Sequence, residues 1–171
     1  MSILGKKLLS LQNRSDRQSE TVREQVTFAA ARNIGILYTW ESGNKESVIS
    51  EFTSQIGQDR QIKFLCFNPD RKQVIETEHP VFSEADLTLL GKINSEEALH
   101  FLQEPFDYLF HLDFELNELM KSLLLRSKAK CRVGFHTESG ENCYELMIGI
   151  NKSAGLHNFT AQILKYVNAL S

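Results

Sequence analysis

The apolar positions of the chain fall into short unbroken runs, separated by stretches whose apolar residues recur at helical spacing. NIGILYT (33–39), QIKFLCF (61–67), FDYLFHL (106–112) and CRVGF (131–135) are dense in β-branched and aromatic residues. Continuous runs of this kind predict strands buried on both faces. Between them, KESVISEFTSQI (45–56) carries Val48, Ile49, Phe52 and Ile56 on one helical face. Ser42 or Asn44 is placed to cap its start and Gly57 to close its end. A second helix is predicted over 95–103, capped by Asn94 with Glu97 at the capping-box position. It ends at Pro105, because the residue before a proline avoids helical geometry. A third, over 115–127, aligns Leu116, Met120, Leu123 and Leu124. A terminal helix is marked by Leu156, Phe159, Ile163, Val167 and Leu170. Weaker strand signals lie at 81–82, 87–90 and 145–150. Upstream, Val22, Val26, Ala29 and Ala30 predict a helix over 17–31.

Strand, helix and strand in succession make right-handed βαβ units by default. The expected architecture is therefore an α/β, three-layer, Rossmann-like domain with a mostly parallel sheet over 33–171. A helical extension over 1–32 precedes it. The length, 171 residues, suits one such domain.

Composition narrows the classes of function. A chain that is 42% hydrophobic and 24% charged is ordinary for a soluble globular protein. A net charge of −3 argues against a general nucleic-acid binder. No stretch approaches the roughly 20 apolar residues of a membrane span. The opening MSILGKKLLSLQNRSDR is interrupted by Lys6 and Lys7 and has no small-residue cleavage site, so it does not read as a secretory signal. An amphipathic helix here, docking on a membrane or a partner or pairing with a second copy, is the alternative use of this segment. Cys66, Cys131 and Cys143 are far apart and form no CxxC pair, which reads as buried reduced thiols in a cytoplasmic protein.

Candidate chemistry is sparse. SGNKES (42–47) follows the first strand and opens a helix, where a phosphate loop would lie. A P-loop needs GxxxxGK[ST]; here a single glycine precedes Asn44 and Lys45, and Glu46 stands where the hydroxyl should be. A capped helix start is the favoured reading, and Trp40 beside it is expected to cover a sheet edge or an interface. The five histidines, His79, His100, His111, His136 and His157, show neither HxH nor HxxxH spacing, so no metal site is signalled. Open α/β sheets bind ligands at the carboxyl ends of their strands. Trp40, Asn44, Lys45, Asp113, Asn117, His136 and Glu138 fall near that rim and are the candidate ligand-binding residues. His111 and Asp113 alternate there as a histidine–carboxylate pair suited to acid–base work. Capping of the following helix by Asp113 is the simpler expectation. Lys121, Arg126, Lys128, Lys130 and Arg132 form a run without an acid between them. A helix C-terminus accounts for part of it, and an anionic ligand or partner is the sharper alternative. No catalytic residue and no cofactor are assigned.

FDYLFHLDFELNELMKSLLLRSKAKCRVGF (106–135) resembles a segment of the heptosyltransferases, the glycosyltransferase family 9 enzymes. Their N-terminal half has a strand opening on Phe-Asp, a helix with Ser-Leu-Leu, a basic turn, and then Val/Ile-Gly-Phe. Phe106 and Asp107, residues 122–124 and residues 132–135 fall on that pattern. LHNFTAQILKYVNAL is similar to the helix that closes that half. The chain as a whole looks still more like a small bacterial family of unknown function whose sheet begins with IGIL, as residues 34–37 do here. The resemblance spans 33–171 and implies a fold. The transferases hold their nucleotide-sugar in a second Rossmann-like half, and this chain stops where that half would begin. SGNKE also replaces their glycine-rich loop, so no catalytic residue carries over. The expectation is a non-catalytic binding or interaction domain. The alternatives are an enzyme or enzyme subunit taking a sugar or nucleotide at the strand-end rim, and an adaptor docking through its N-terminal helix.

Overall fold

Six of the apolar runs become six strands of one sheet. The computed structural model describes Ser10 and residues 26–70, 72–88 and 92–170. The strands are β1 (Asn33–Thr39), β2 (Gln61–Asn68), β3 (Val81–Ser83), β4 (Tyr108–His111), β5 (Cys131–Phe135) and β6 (Leu146–Ile148). They pair in the order β3-β2-β1-β4-β5-β6, and every pairing is parallel. This is the doubly wound Rossmann-type order, in which the direction of winding reverses between β1 and β4. The sheet is covered on both faces, which is why its strands read as unbroken apolar runs.

The helices are α1 (Lys45–Ile56), α2 (Glu96–Gln103), α3 (Glu118–Arg126) and α4 (Gly155–Ala169). Side-chain alternation along the strands separates two cores. Ile34, Ile36 and Tyr38 of β1 and Tyr108 and Phe110 of β4 face α1 and α4, meeting Ile49, Phe52, Phe159, Ile163 and Val167. Leu37 and Leu109 face the other way, onto Phe101 and Leu102 of α2 and Met120, Leu123 and Leu124 of α3. The expected three-layer fold is present, and its sheet is wholly parallel.

Local chemistry sets the element boundaries, with some departures from expectation. Gly57 closes α1 at φ +107°, a conformation that side chains resist. The Asn44 side chain makes no capping bond; its backbone carbonyl accepts from Val48 N at 3.1 Å. Ser95, rather than Asn94, caps α2, accepting from Ala98 N at 3.1 Å. The third helix starts at Glu118, because Asn117 takes the amides of Leu119 and Met120. Leu87 forms only an isolated bridge to Ile93; of its expected run, 89–90 lies outside the described residues.

Of the helix expected over 17–31, residues 17–25 lie outside the described residues, as does nearly all of the N-terminal segment considered for docking. Residues 26–31 form a turn, with Ala30 N and Ala31 N both donating to Thr27 O. The turn drives Phe28 into the core, edge-on to Tyr108 at 5.2 Å, with the Arg60 guanidinium 4.0 Å above its ring. Burial of that ring overrides the helical spacing of its neighbours.

The Phe-Asp pair has a structural explanation. The Asp107 carboxylate accepts from the amides of Arg32 (2.7 Å) and Asn33 (3.0 Å) and pairs with Lys130 at 3.2 Å. It fastens the entry of β1 to β4. Burial pushes the Asp107 carboxyl up, but the two amides and the Lys130 ammonium outweigh it and hold it below the usual range. The basic run is divided in the same way. Lys121 pairs with Glu118, and Arg132 makes a fork onto Glu145 while Nη1 donates to Leu124 O.

One glycine is fixed by a close approach. A Cβ on Gly134 of β5 would stand 2.3 Å from the Tyr144 ring. Gly134→Ala is therefore expected to lower stability by about 1–3 kcal/mol, the cost of overpacking. Urea unfolding followed by circular dichroism measures it; a variant as stable as the parent would show that the ring has room to move.

Candidate functional site at the strand ends

The reversal between β1 and β4 opens a crevice at their carboxyl ends, the place where sheets of this order receive a ligand. Asp113 lies just past β4 and is buried, with a side chain 5% exposed. Its carboxylate accepts from Thr39 N at 2.9 and 3.1 Å and from Thr39 Oγ1 at 2.8 Å, closing the exit of β1. Lys45, in the first turn of α1 and 7% exposed, donates to Asp113 Oδ1 at 2.5 Å and to Glu41 Oε1 at 2.8 Å. The lysine thus lies down into the crevice. Asp113 does not cap the following helix, a role taken by Asn117. The carboxylate instead closes the end of the central strand, where the Thr39 amide has no carbonyl of the ladder to bind.

A second arm extends behind Asp113. His111, wholly buried, has Nε2 3.1 Å from Asp113 Oδ2, off the axis that a good hydrogen bond needs. Its Nδ1 lies 2.7 Å from Tyr144 Oη. Burial raises the Tyr144 phenol, which stays protonated beside Nδ1. Burial also pushes the Asp113 carboxyl up. The contacts with His111 and Lys45 more than reverse this and bring it down to about 2. The result is a continuous polar chain from Tyr144 through His111, Asp113 and Lys45 to exposed Glu41.

Of the residues expected to form the rim, Lys45 and Asp113 are in direct contact. Trp40 is half-buried against the α1/α4 core, and its amide donates to Phe67 O at 2.7 Å. Asn44 and Asn117 are exposed at helix starts, the second as a cap. His136 and Glu138 are exposed on the segment after β5, and among the described residues no hydrogen bond or ion pair links them to Asp113. Thr39, Glu41 and Tyr144 are partners that the sequence reading missed. The i, i+4 spacing of Glu41 and Lys45 was the one local signal for them. Among the described residues, no group of three or more His, Cys, Asp or Glu side chains is placed to hold a metal ion.

Two open clefts lie beside β2. A cleft of about 820 Å³ separates α1 from residues 75–79 over Phe64 of β2. A second, of about 760 Å³, runs between the lower half of β2 and α2. Phe64, Glu78 and His79 line both. The His79 ring stacks on Phe64 at 3.9 Å, with Nδ1 2.7 Å from Tyr38 Oη. Burial lowers the His79 pKa, raises that of the Tyr38 phenol and pushes the Cys66 thiol up to about 11. Neither cleft was foreseen.

Asp113 makes the fold sensitive to acid. Its folded-state pKa is depressed, so its stabilisation is complete above its unfolded value near 4 and is lost as pH falls toward 2. The loss is expected to be about 2 kcal/mol, read from urea midpoints taken across that range. Asp113→Asn is expected to cost about 3–5 kcal/mol at neutral pH, because it removes the buried counter-charge of Lys45 and leaves only the exposed Glu41. Asp113→Asn with Lys45→Met should recover part of that loss; a double variant no better than the single would mean that the pair is not coupled.

Comparison with known proteins gives no activity to carry over. No curated protein and no solved structure matches the chain, and among the described residues no helix is long and apolar enough to cross a membrane. A family model described as a family of unknown function, DUF6913, matches residues 4–170, and the chain belongs to that family.

Proposed function

We propose that this protein is a non-catalytic binding or interaction domain on a Rossmann-like sheet, whose ligand or partner binds away from the strand-end crevice. The observation that carries the reading is the buried Lys45–Asp113 pair. Its ammonium takes up the position between β1 and β4 where a bound phosphate or sugar would otherwise sit. Both ends of the pair are already hydrogen-bonded, and breaking it to admit a ligand would strand a buried charge. The same proposal treats the heptosyltransferase resemblance as kinship in fold to one half of such an enzyme, a reading with which the wholly parallel sheet is compatible. It sets the protein in a bacterial cytoplasm, a reading that rests on the scattered thiols and the family likeness.

A second reading, an enzyme taking a sugar or nucleotide at this rim, draws on the proximity of Tyr144, His111 and Asp113, a histidine–carboxylate pair suited to acid–base work. It requires Lys45 to leave its partners. A thermal-shift screen with nucleotides and sugar nucleotides at millimolar concentration separates the two. The binding-domain reading expects shifts below about 1 °C, whereas a ligand at a hundred times its Kd would add about 2.7 kcal/mol and several degrees. A shift of that size, abolished by Asp113→Asn, would overturn the proposal in favour of the enzyme.

A further inference from the structure

Strand β2 is longer than its outer neighbour. It runs for eight residues, yet β3 pairs only with Cys66, Phe67 and Asn68. The backbone groups of the odd-numbered residues of β2 turn toward β1: Gln61 N donates to Arg32 O at 2.8 Å, and Phe67 O accepts from Trp40 N. Those of the even-numbered residues turn outward, as Cys66 N does in donating to Pro80 O at 2.9 Å. The next outward carbonyl, that of Phe64, would accept from the amide of residue 80. Residue 80 is proline and has no N–H, so the ladder stops there. Among the described residues, nothing pairs with the outward N–H and C=O groups of Ile62 and Phe64.

Among the described residues, none covers that edge. The cleft of about 760 Å³ lies along it, with Pro80, Phe101 and Pro105 as apolar walls. Glu78 and Glu97 are exposed at its rim, and Lys63 is bound to Glu104. Donors and acceptors in line at strand spacing select a peptide backbone, and the carboxylate rim selects basic side chains.

We propose that the outer edge of β2 at Ile62 and Phe64 takes up an extended peptide of alternating apolar and basic residues, which adds to the sheet as a strand in line with β3. This rests on the binding-domain reading and supplies its site and partner class. Pairing of the edge with a second copy is disfavoured, because it would bring two sets of the same carboxylates together.

Amide hydrogen exchange on the full chain, read residue by residue by NMR, tests the proposal. In the protein alone, the Ile62 and Phe64 amides are expected to exchange at least about a hundredfold faster than those of Lys63 and Leu65, which face β1. Acetyl-Lys-Val-Lys-Val-Lys-Val-amide at millimolar concentration should slow the two outward amides at least about tenfold. The Glu-Val counterpart, or a Lys-Val peptide N-methylated at alternate residues, should not. Glu78→Lys, at an exposed position, should weaken the effect while leaving the circular dichroism unchanged. Outward amides already protected in the free protein, whether by its own N-terminal residues or, in a concentration-dependent way, by a second copy, would overturn the proposal. So would amides that ignore the Lys-Val peptide or respond equally to the Glu-Val one. None of these outcomes depends on the strand-end crevice, so failure here is distinct from stabilisation by a sugar nucleotide there.

Discussion

The fold depends on how its central strand is held at both ends. Sheet neighbours pair β1 along its length, but the amides at its entry and exit have no place in the ladder. Two carboxylates carried on the flanks of β4 take them: Asp107 binds the amides of Arg32 and Asn33, and Asp113 binds that of Thr39. A carboxylate removed from water needs a counter-charge as well as hydrogen bonds. Lys130, ahead of β5, supplies it at one end and Lys45, at the start of α1, at the other. The two pins therefore also fix where the next strand begins and where the first helix sits.

The exit pin has a consequence for function. In sheets of this order the gap between β1 and β4 is available because the loops leaving the two strands diverge. Here the loop after β1 returns a lysine into that gap, and the loop after β4 provides the carboxylate to hold it. The fold keeps the geometry of a ligand crevice and fills it with its own charges. A Rossmann-like sheet then says little about activity, since activity belongs to sites and not to scaffolds.

Much of the scaffold was legible because strands buried on both faces betray themselves as unbroken apolar runs. The run at 33–39 matched β1 at both ends, and that at 131–135 matched β5. The site was legible only in part. Lys45 and Asp113 were both singled out, yet Asp113 was expected to serve the helix beside it, whereas its partner Thr39 is 74 residues away. His111 meets Tyr144 across 33 residues. Local spacing carries no trace of such partners, and they become visible only when the strand order is known. The misread turn at 26–31 has the same origin, for Phe28 is placed by Tyr108 and Arg60, which lie far along the chain.

The two clefts beside β2 follow from a single departure from regular winding. A right-handed crossover from β2 to β3 must pass over the α1 face of the sheet. A helix there would cover Phe64, but residues 69–70 and 72–80 form no helix, and Ile75, Thr77 and His79 are what reach down toward the sheet. Val74 on the same connection is left 92% exposed. The stretch then ends in Pro80, which stops the ladder between β2 and β3. The missing helix opens a cleft on the face, and the proline leaves the edge beside it unpaired. Both trace to this one connection, and both expose the ring of Phe64. The sheet thus closes the crevice that its topology would offer and opens another at its margin, where the chain departs from the regular fold.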